Sequence, residues 1–428
     1  MKSVFRGSAY RVARALGLTS SATTSQNGTV IQAATTVAET TPCNARPSNW
    51  QGGRRLNLLL PSINAHHYFG GIHTAVQLYR ALGKHFSATR IVLVDSAPDI
   101  AALERFGDHT LVDCAADSTE KHQIIAFNDR YGRTVAVGAD DCWLTTAWWT
   151  TYSAQHLAAW QQQQFGIAGR LINLIQDFEP GFYPWSSQSA LALSTYRPDQ
   201  DVAVFNTRLL ADYFELQGLA YQHRFVFEPT LNDGLRQPLA DVRANPQPRQ
   251  RRMVVYARPS TPRNAFELLC EALRAWGWSD PASRQWEVLA AGELTADLDL
   301  GPLKIRALGK LDLHDYAQLL ATSAIGVSLM ISPHPSYPPL EMAAFGMGVV
   351  TNRFANKNLS HFSENISCPE SFTPESFAEL LRQEVAAWEL RQMKPASIMD
   401  AAHPFLSENH FDALANHVAN FWADTGAM

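Results

Sequence analysis

A glutamate close to the start of a short predicted helix has the clearest chemical role in this sequence. An apolar run, 324–330, predicts a buried parallel strand, and a loop with four prolines follows it. Glu341 then lies in the first turn of a helix predicted over 340–345. Because open parallel sheets bind nucleotides at the carboxyl ends of their strands, this carboxylate is placed to contact a nucleotide.

Two arginines stand at the matching position earlier in the same half of the chain. Arg258 and Arg263 follow a strand predicted over 253–257 and precede a helix predicted over 265–276. Guanidinium groups match phosphate geometry and would neutralise the charge that develops on a departing nucleoside diphosphate. Arginines in a proline-rich loop are often only solvated, but the position at a strand end favours a diphosphate clamp.

Paired glycines open the first predicted helix of the other half of the chain. Gly70 and Gly71 lie between a strand predicted over 56–60 and a helix predicted over 72–86. Without side chains there, backbone N–H groups can approach an anion at the helix N-terminus. The alternative is an ordinary tight turn, so these glycines alone do not identify a phosphate site.

Two carboxylates, Asp177 and Glu179, follow a strand predicted over 171–175. They could bind sugar hydroxyls or act as a general base, although turn chemistry explains acidic residues beside proline and glycine equally well. Three aromatic residues beyond them could stack on a sugar ring: Phe182, Tyr183 and Trp185. Of the adjacent tryptophans Trp148 and Trp149, we expect at least one ring to lie in the core.

Strands and helices alternate on both sides of a polar stretch, 232–252, which we interpret as an interdomain linker. Such alternation predicts parallel sheets covered by helices on both faces. We therefore expect an N-terminal extension and linker over 1–53 and a Rossmann-like acceptor domain over 54–235. A second Rossmann-like domain, for the nucleotide sugar, is expected over 252–405, and a crossover helix over 406–428.

The composition is that of a soluble globular protein, with 46% apolar and 18% charged residues among 428. The net charge of −5 argues against nucleic-acid binding, which needs a large basic surface. Five cysteines without a CxxC pair predict reduced, mostly buried thiols in a cytoplasmic protein. We predict no metal site, because the histidines lack the spacing of metal ligands.

Residues 1–18 carry four basic side chains and no acidic one. They could form a short amphipathic helix on the anionic inner face of the cell membrane, which would make the protein peripheral there. A loosely docked extension is an equally good interpretation.

Three runs, 176–180, 256–268 and 331–352, resemble in order and spacing the motifs of the family-four retaining glycosyltransferases. The resemblance extends over about 54–425 and is greatest to the WsaF-like rhamnosyltransferases of bacteria, which use dTDP-L-rhamnose. It implies an α/β fold of the GT-B type. In that fold, two doubly wound Rossmann-like domains face a central cleft, and a C-terminal helix crosses back to the N-terminal domain.

The resemblance also implies a role for each matching residue. Gly70 and Gly71 would lie beside the diphosphate and the acceptor, Arg258 and Arg263 would hold the diphosphate, and Glu341 would hold the ribose. Backbone groups of one strand-end loop would bind the pyrimidine base: Gly309, Lys310 and Leu311.

One residue of the family pattern is missing here. The glutamate that usually contacts the donor sugar would fall at Pro333. We expect its contact to come instead from the backbone amides of Ser336 and Tyr337. This departure agrees better with a deoxysugar, which offers fewer hydroxyl groups.

The implied activity is transfer of L-rhamnose to a hydroxyl of a bacterial surface-glycan precursor, without a metal or other cofactor. The resemblance favours retention, in which the leaving phosphate accepts the proton. Inversion would instead require Asp177 or Glu179 as the base. The expected partners are a nucleotide sugar and a glycan acceptor, which could be lipid-linked, and a homo-oligomer is left open. The alternatives are a GT-B transferase for a UDP or GDP sugar, and a non-catalytic subunit of a glycan-assembly complex.

Overall fold

A computed structural model describes residues 36–425, apart from 69, 168, 392–396, 409 and 410. The proposed membrane segment, 1–18, therefore lies outside the described residues. The described chain divides into two compact units, one of residues up to Phe227 together with the last helix, the other of residues 228–408. Within these ranges, no helix is long and apolar enough to cross a bilayer.

The first unit is built on a parallel sheet of eight strands in the order β10-β9-β8-β7-β2-β3-β5-β4. Its strands are β2 (Arg55–Leu60), β3 (Ala88–Leu93), β4 (Thr110–Val112), β5 (His122–Ala126), β7 (Asp141–Thr145), β8 (Arg170–Ile175), β9 (Val202–Asn206) and β10 (His223–Phe227). A separate parallel pair consists of β1 (Ala45–Pro47) and β6 (Val135–Val137). All side chains of β2 and β3 are buried, because the sheet is covered on both faces.

Helices of the first unit cover this sheet, and the last helix of the chain is among them. They are α1 (Gly71–Gly83), α2 (Ile100–Arg105), α3 (Trp148–Phe165), α4 (Ser187–Ser194), α5 (Arg208–Leu216) and, from the end of the chain, α11 (Phe411–Thr425). Apolar side chains of α11, including Val418 and Trp422, share one core with Leu78 and Leu82 of α1. The predicted return of the C-terminal helix to the first domain is therefore confirmed.

The second unit contains a sheet of seven strands in the order β13-β14-β12-β11-β15-β16-β17, parallel except for the β13–β14 pair. The strands are β11 (Gln250–Ala257), β12 (Glu287–Gly292), β13 (Leu298–Asp299), β14 (Lys304–Gly309), β15 (Ser323–Val327), β16 (Gly348–Val350) and β17 (Ile366–Ser367). Its helices are α6 (Asp233–Ala244), α7 (Phe266–Ser279), α8 (Leu313–Thr322), α9 (Pro338–Ala344) and α10 (Pro374–Leu390). The predicted doubly wound α/β class is confirmed in both units.

The predicted linker over 232–252 is wrong, because most of it forms α6. Asn232 caps this helix by accepting a hydrogen bond from the Gly234 N–H, and Leu235 and Leu239 are buried one turn apart. Pro238 lies inside the helix, where proline is normally unfavourable. The proline count pointed to a linker, whereas the apolar pair packs as a helix face.

Strand boundaries also differ from the predictions in ways that matter for the site. The apolar run 324–330 was expected to be one strand, but β15 ends at Val327 and the rest is irregular loop. The cysteine prediction agrees with the structure: all five thiols are free, and four of them are buried.

Candidate active site

In each sheet the strand order changes direction near the centre, between β2 and β7 in the first unit and between β11 and β15 in the second. At such a switch point the neighbouring loops run to opposite sides, and open parallel sheets bind ligands in the resulting crevice. Most predicted site residues lie in loops at these strand ends.

In the first unit, one glutamine joins three of those loops. The Gln176 side-chain amide donates to the Gly71 carbonyl oxygen at 2.9 Å and to the Thr146 hydroxyl at 2.7 Å. Gly71 follows β2, Thr146 follows β7, and Gln176 itself follows β8. Gly70, at the start of α1, has a φ of +42°, so the left-handed backbone there explains one of the paired glycines. Gln176 was not predicted as a site residue, although it is the first residue after its strand.

The two candidate carboxylates of the first unit have different surroundings. Glu179 is buried, and its Oε2 accepts the N–H of Trp148 at 2.5 Å. Trp148 begins α3, so this carboxylate stabilises the positive end of a helix dipole. Asp177 is half-buried and accepts the N–H of Phe178 at 2.8 Å. Glu179 therefore has a structural role, and Asp177 is the more exposed of the two carboxylates.

The aromatic residues near this loop divide in the same way. Trp148 is buried and donates its indole N–H to the Tyr183 hydroxyl at 2.9 Å, which confirms that one of the paired tryptophans lies in the core. Trp149 donates to Asp95 at 3.0 Å. Trp185 is fully exposed at 105% of its reference area. Its ring is therefore accessible to a sugar.

In the second unit, Glu341 is buried on α9 and accepts a hydrogen bond from the Tyr316 hydroxyl of α8 at 3.1 Å. Burial raises the pKa of Glu341 to about 7, although the Tyr316 hydrogen bond acts in the opposite direction. Carboxyl groups with strongly raised pKa values concentrate in functional sites. Tyr316 was missed from the sequence, since a tyrosine on a helix face gives no sign of a partner 25 residues away.

Tyr256, near the end of β11, lies close to both charged candidates of this unit. Burial raises the pKa of Tyr256, the nearby positive charge of Arg258 lowers it, and the negative charge of Glu341 raises it. The structure therefore brings Arg258 and Glu341 to the same end of the second sheet.

Arg258 is held by an acidic partner that the sequence did not reveal. Its Nε donates to Oε1 of Glu293, in the loop after β12, at 3.1 Å. The Glu293 carboxylate also accepts the N–H of Ser260 at 3.3 Å. This pair fixes the direction of the guanidinium and connects the loops that follow β11 and β12.

Arg263 lies where the loops after β11 and β15 meet. Its carbonyl oxygen accepts the N–H of Ile331 at 2.6 Å, and the amide of Asn264 donates to the Leu329 carbonyl at 3.1 Å. The side chain of Arg263 is half-buried. These contacts connect the predicted clamp segment directly to the proline-rich loop.

The predicted base-binding loop leads into the helix that carries Tyr316. Gly309 ends β14 with a φ of +68°, a conformation that favours glycine. Lys310 is exposed and Leu311 is partly buried. The side chain of Asp312 then caps α8 by accepting the N–H of Asp315 at 2.8 Å.

The proline-rich loop uses one of the two amides that were expected to contact the sugar. The Ser336 N–H donates to Nδ1 of His334 at 3.0 Å, and the His334 N–H donates to the Ser332 hydroxyl at 3.0 Å. A sugar oxygen could therefore bind the Ser336 amide only by displacing the imidazole. Ser336 also has a φ of +68°, which is strained for a residue other than glycine. Tyr337 immediately precedes α9.

Across the part of the chain that the structure describes, no three histidine, cysteine or acidic side chains gather into a metal-binding cluster. The absence of a metal requirement stays a prediction.

Two doubly wound α/β units with candidate residues at their strand ends define the class of protein as the GT-B glycosyltransferase fold. HepE from Anabaena, solved with UDP and glucose, matches with a TM-score of 0.53 and 13% identity over 87% of this chain and 99% of that chain. WaaG, a glycosyltransferase of lipopolysaccharide biosynthesis, matches with a TM-score of 0.50 and 11% identity over 86% of this chain and 99% of that chain. A trehalose-phosphate synthase from Burkholderia vietnamiensis matches with a TM-score of 0.51 and 11% identity over 88% of this chain and 98% of that chain. At these identities the similarity shows the fold alone.

Sequence comparison then identifies the family. The WsaF N-terminal domain matches residues 55–208, and the WsaF C-terminal domain matches residues 251–382. The chain belongs to the WsaF family. The O-antigen biosynthesis protein RfbC of Myxococcus xanthus is 33% identical over 298 residues, which are 68% of this chain. The match spans about a fifth (21%) of the length of that relative.

Proposed function

We propose that the chain transfers L-rhamnose from dTDP-L-rhamnose to a hydroxyl group of a bacterial surface-glycan precursor. The observation that carries this proposal is the group of Glu341, Tyr316 and Arg258 at one end of the second sheet. It combines an acceptor for ribose hydroxyls with a cation for the diphosphate, as a nucleotide-sugar site requires.

The choice of donor is supported by family membership and by the departure at Pro333. In place of an acidic residue that would bind several hydroxyls, the loop offers proline and a strained serine, Ser336. Such a surface suits a deoxysugar better than a fully hydroxylated hexose. The relative named for O-antigen biosynthesis supports a surface glycan as the acceptor.

The mechanism assigns leaving-group stabilisation to the second unit. Arg258, oriented by Glu293, and Arg263 would neutralise the charge that appears on the diphosphate as the glycosidic bond breaks. In the retaining course that we propose, the departing phosphate oxygen accepts the proton of the attacking hydroxyl. Asp177 would bind the acceptor sugar, and it would become the general base if the reaction instead inverted.

Calorimetric binding of dTDP, UDP and GDP to the purified chain tests the proposal. We expect the chain to bind dTDP most tightly. Arg258→Ala should weaken dTDP binding by at least tenfold, because it removes a charge-assisted contact with phosphate. Arg382→Ala is a matched control, since Arg382 lies on the exposed surface of α10 in the same unit and should leave binding unchanged.

The outcomes separate the alternatives. Preference for UDP or GDP would disprove the rhamnose donor and leave the fold unaffected. Tight dTDP binding with neither transfer to glycan acceptors nor slow hydrolysis of dTDP-L-rhamnose would favour a non-catalytic subunit.

A further inference from the structure

Lys357 is a buried cation that the proposed reaction does not use. Its side chain belongs to a residue that is 1% exposed, and Nζ donates to the carbonyl oxygens of Met330 at 2.6 Å and His334 at 3.4 Å. Removing an ammonium group from water is costly unless its hydrogens find acceptors. Both of these acceptors belong to the backbone of the proline-rich loop after β15.

Lys357 lies at the end of a tight turn whose backbone is strained. The backbones of Phe354 and Lys357 bond to each other, with N–H to oxygen distances of 3.1 and 2.8 Å. Ala355 between them has a φ of +48°, a left-handed conformation that is unfavourable for an alanine. The position of this ammonium group against the loop is therefore associated with two unfavourable features, a strained backbone and a buried charge.

A second buried side chain holds the same segment. The Asn352 oxygen accepts the Met330 N–H at 2.7 Å, and the Asn352 amide donates to the Met330 carbonyl at 3.0 Å. Asn352 and Lys357 thus converge on one carbonyl oxygen.

The opposite side of the loop is attached to the clamp segment. Ile331 donates its N–H to the Arg263 carbonyl, as described above, and the chain continues from the loop into α9 and Glu341. A nucleotide sugar with its ribose at Glu341 and its diphosphate at the arginines would therefore extend along residues 330–336.

We propose that Lys357, together with Asn352, is a positioning residue that holds backbone residues 330–334 in the shape that binds the sugar end of the donor. This inference rests on the proposed function. Lys357 acts through the loop carbonyls and does not itself touch the donor, so its loss should affect the sugar end of the ligand more than the nucleoside.

The test compares two ligands on one variant. Lys357→Met keeps an unbranched side chain, one heavy atom shorter, and removes the ammonium group. By calorimetry, we expect its affinity for dTMP to stay within about twofold of wild type and its affinity for dTDP-L-rhamnose to fall at least tenfold. Lys304→Met is the matched control, because Lys304 is exposed in the same unit and pairs with Asp297 at 3.0 Å, so both affinities should be unchanged.

A second variant covers the case in which Lys357→Met does not fold. Asn352→Asp keeps the shape and the oxygen that accepts the Met330 N–H but removes the amide donor, and it should show the same selective loss to a smaller extent. Equal weakening of both ligands, or no weakening of either, would overturn the positioning role. If the wild-type chain binds neither ligand, the proposed function fails, and this inference fails with it.

Discussion

Under the proposed function, the raised pKa of Glu341 should make nucleotide binding depend on pH in a predictable direction. Glu341 has a pKa of about 7, raised by burial and lowered by its tyrosine partner. Ribose hydroxyls donate hydrogen bonds, so the ionised carboxylate is the form that binds them well. The affinity for dTDP should therefore rise about tenfold per pH unit below pH 7 and level off above it.

Replacing Tyr316 with phenylalanine removes the hydrogen bond and keeps the ring. A hydrogen bond to a charged acceptor contributes about 1.5–3 kcal/mol, and about 1.4 kcal/mol corresponds to one pH unit of titration. Tyr316→Phe should therefore move the midpoint of the binding curve upward by about one to two pH units. Near pH 7 the variant would bind dTDP roughly tenfold more weakly than wild type, whereas the two should converge at high pH.

Calorimetric titration with dTDP between pH 5.5 and 9 measures both midpoints. Tyr131→Phe is the control, because Tyr131 is 77% exposed in the first unit and should not affect the curve. Glu341→Gln should bind weakly at every pH, without the rise near 7. An unchanged or lower midpoint in Tyr316→Phe would refute the assignment of Glu341 as the group that titrates. Equal weakening at all pH values would show that Tyr316 acts through packing instead.

Three further predictions concern stability, each measured by urea unfolding. Glu341 has a pKa near 7 in the folded chain and near 4.5 in the unfolded chain, so its contribution to stability is present below pH 4.5 and is lost by pH 7. The free energy of unfolding of Glu341→Gln should therefore rise by about 3 kcal/mol relative to that of the wild type between pH 4.5 and 8. A difference in stability between variant and wild type that does not change with pH would contradict this. Asp141 is buried between Arg55 at 2.8 Å and Arg90 at 3.4 Å. Asp141→Asn should lower the free energy of unfolding by about 3–5 kcal/mol, because it leaves two buried cations without a carboxylate. Gly292 has a φ of +141°, and an added Cβ would lie 2.1 Å from a backbone oxygen of β11. Gly292→Ala should therefore lower the free energy of unfolding by about 3 kcal/mol or more. A decrease of less than about 1 kcal/mol would show that the strand end can relax.

The sequence was informative about where loops lie and much less so about what their side chains contact. The buried parallel strands were visible as apolar runs, and their order along the chain placed Gly71, Arg258 and Glu341 at strand ends. These placements need only periodicity and the rule that ligands bind at carboxyl ends. The fold class followed from the same information.

Pairings between distant residues could not be predicted. Arg258 meets Glu293 across 35 positions, and Tyr316 meets Glu341 across 25, so each contact depends on how two elements pack in space. The same limit explains the interpretation of Glu179 as a possible base: its burial against the start of α3 leaves no trace in the local sequence.

The buried charged groups of the two units differ in what surrounds them, and this difference supports the proposal of a donor site in the second unit. In the first unit, the buried charges of Arg55 and Arg90 are compensated by a carboxylate, which is what a purely structural network requires. In the second unit, Glu341 is buried against a neutral hydroxyl, Lys357 donates to carbonyl oxygens, and Ser336 is strained. Buried ionisable groups and backbone strain persist where the surrounding fold holds groups ready for a ligand. Glu341, Lys357 and Ser336 lie on or against one loop, and this placement supports the proposed donor site.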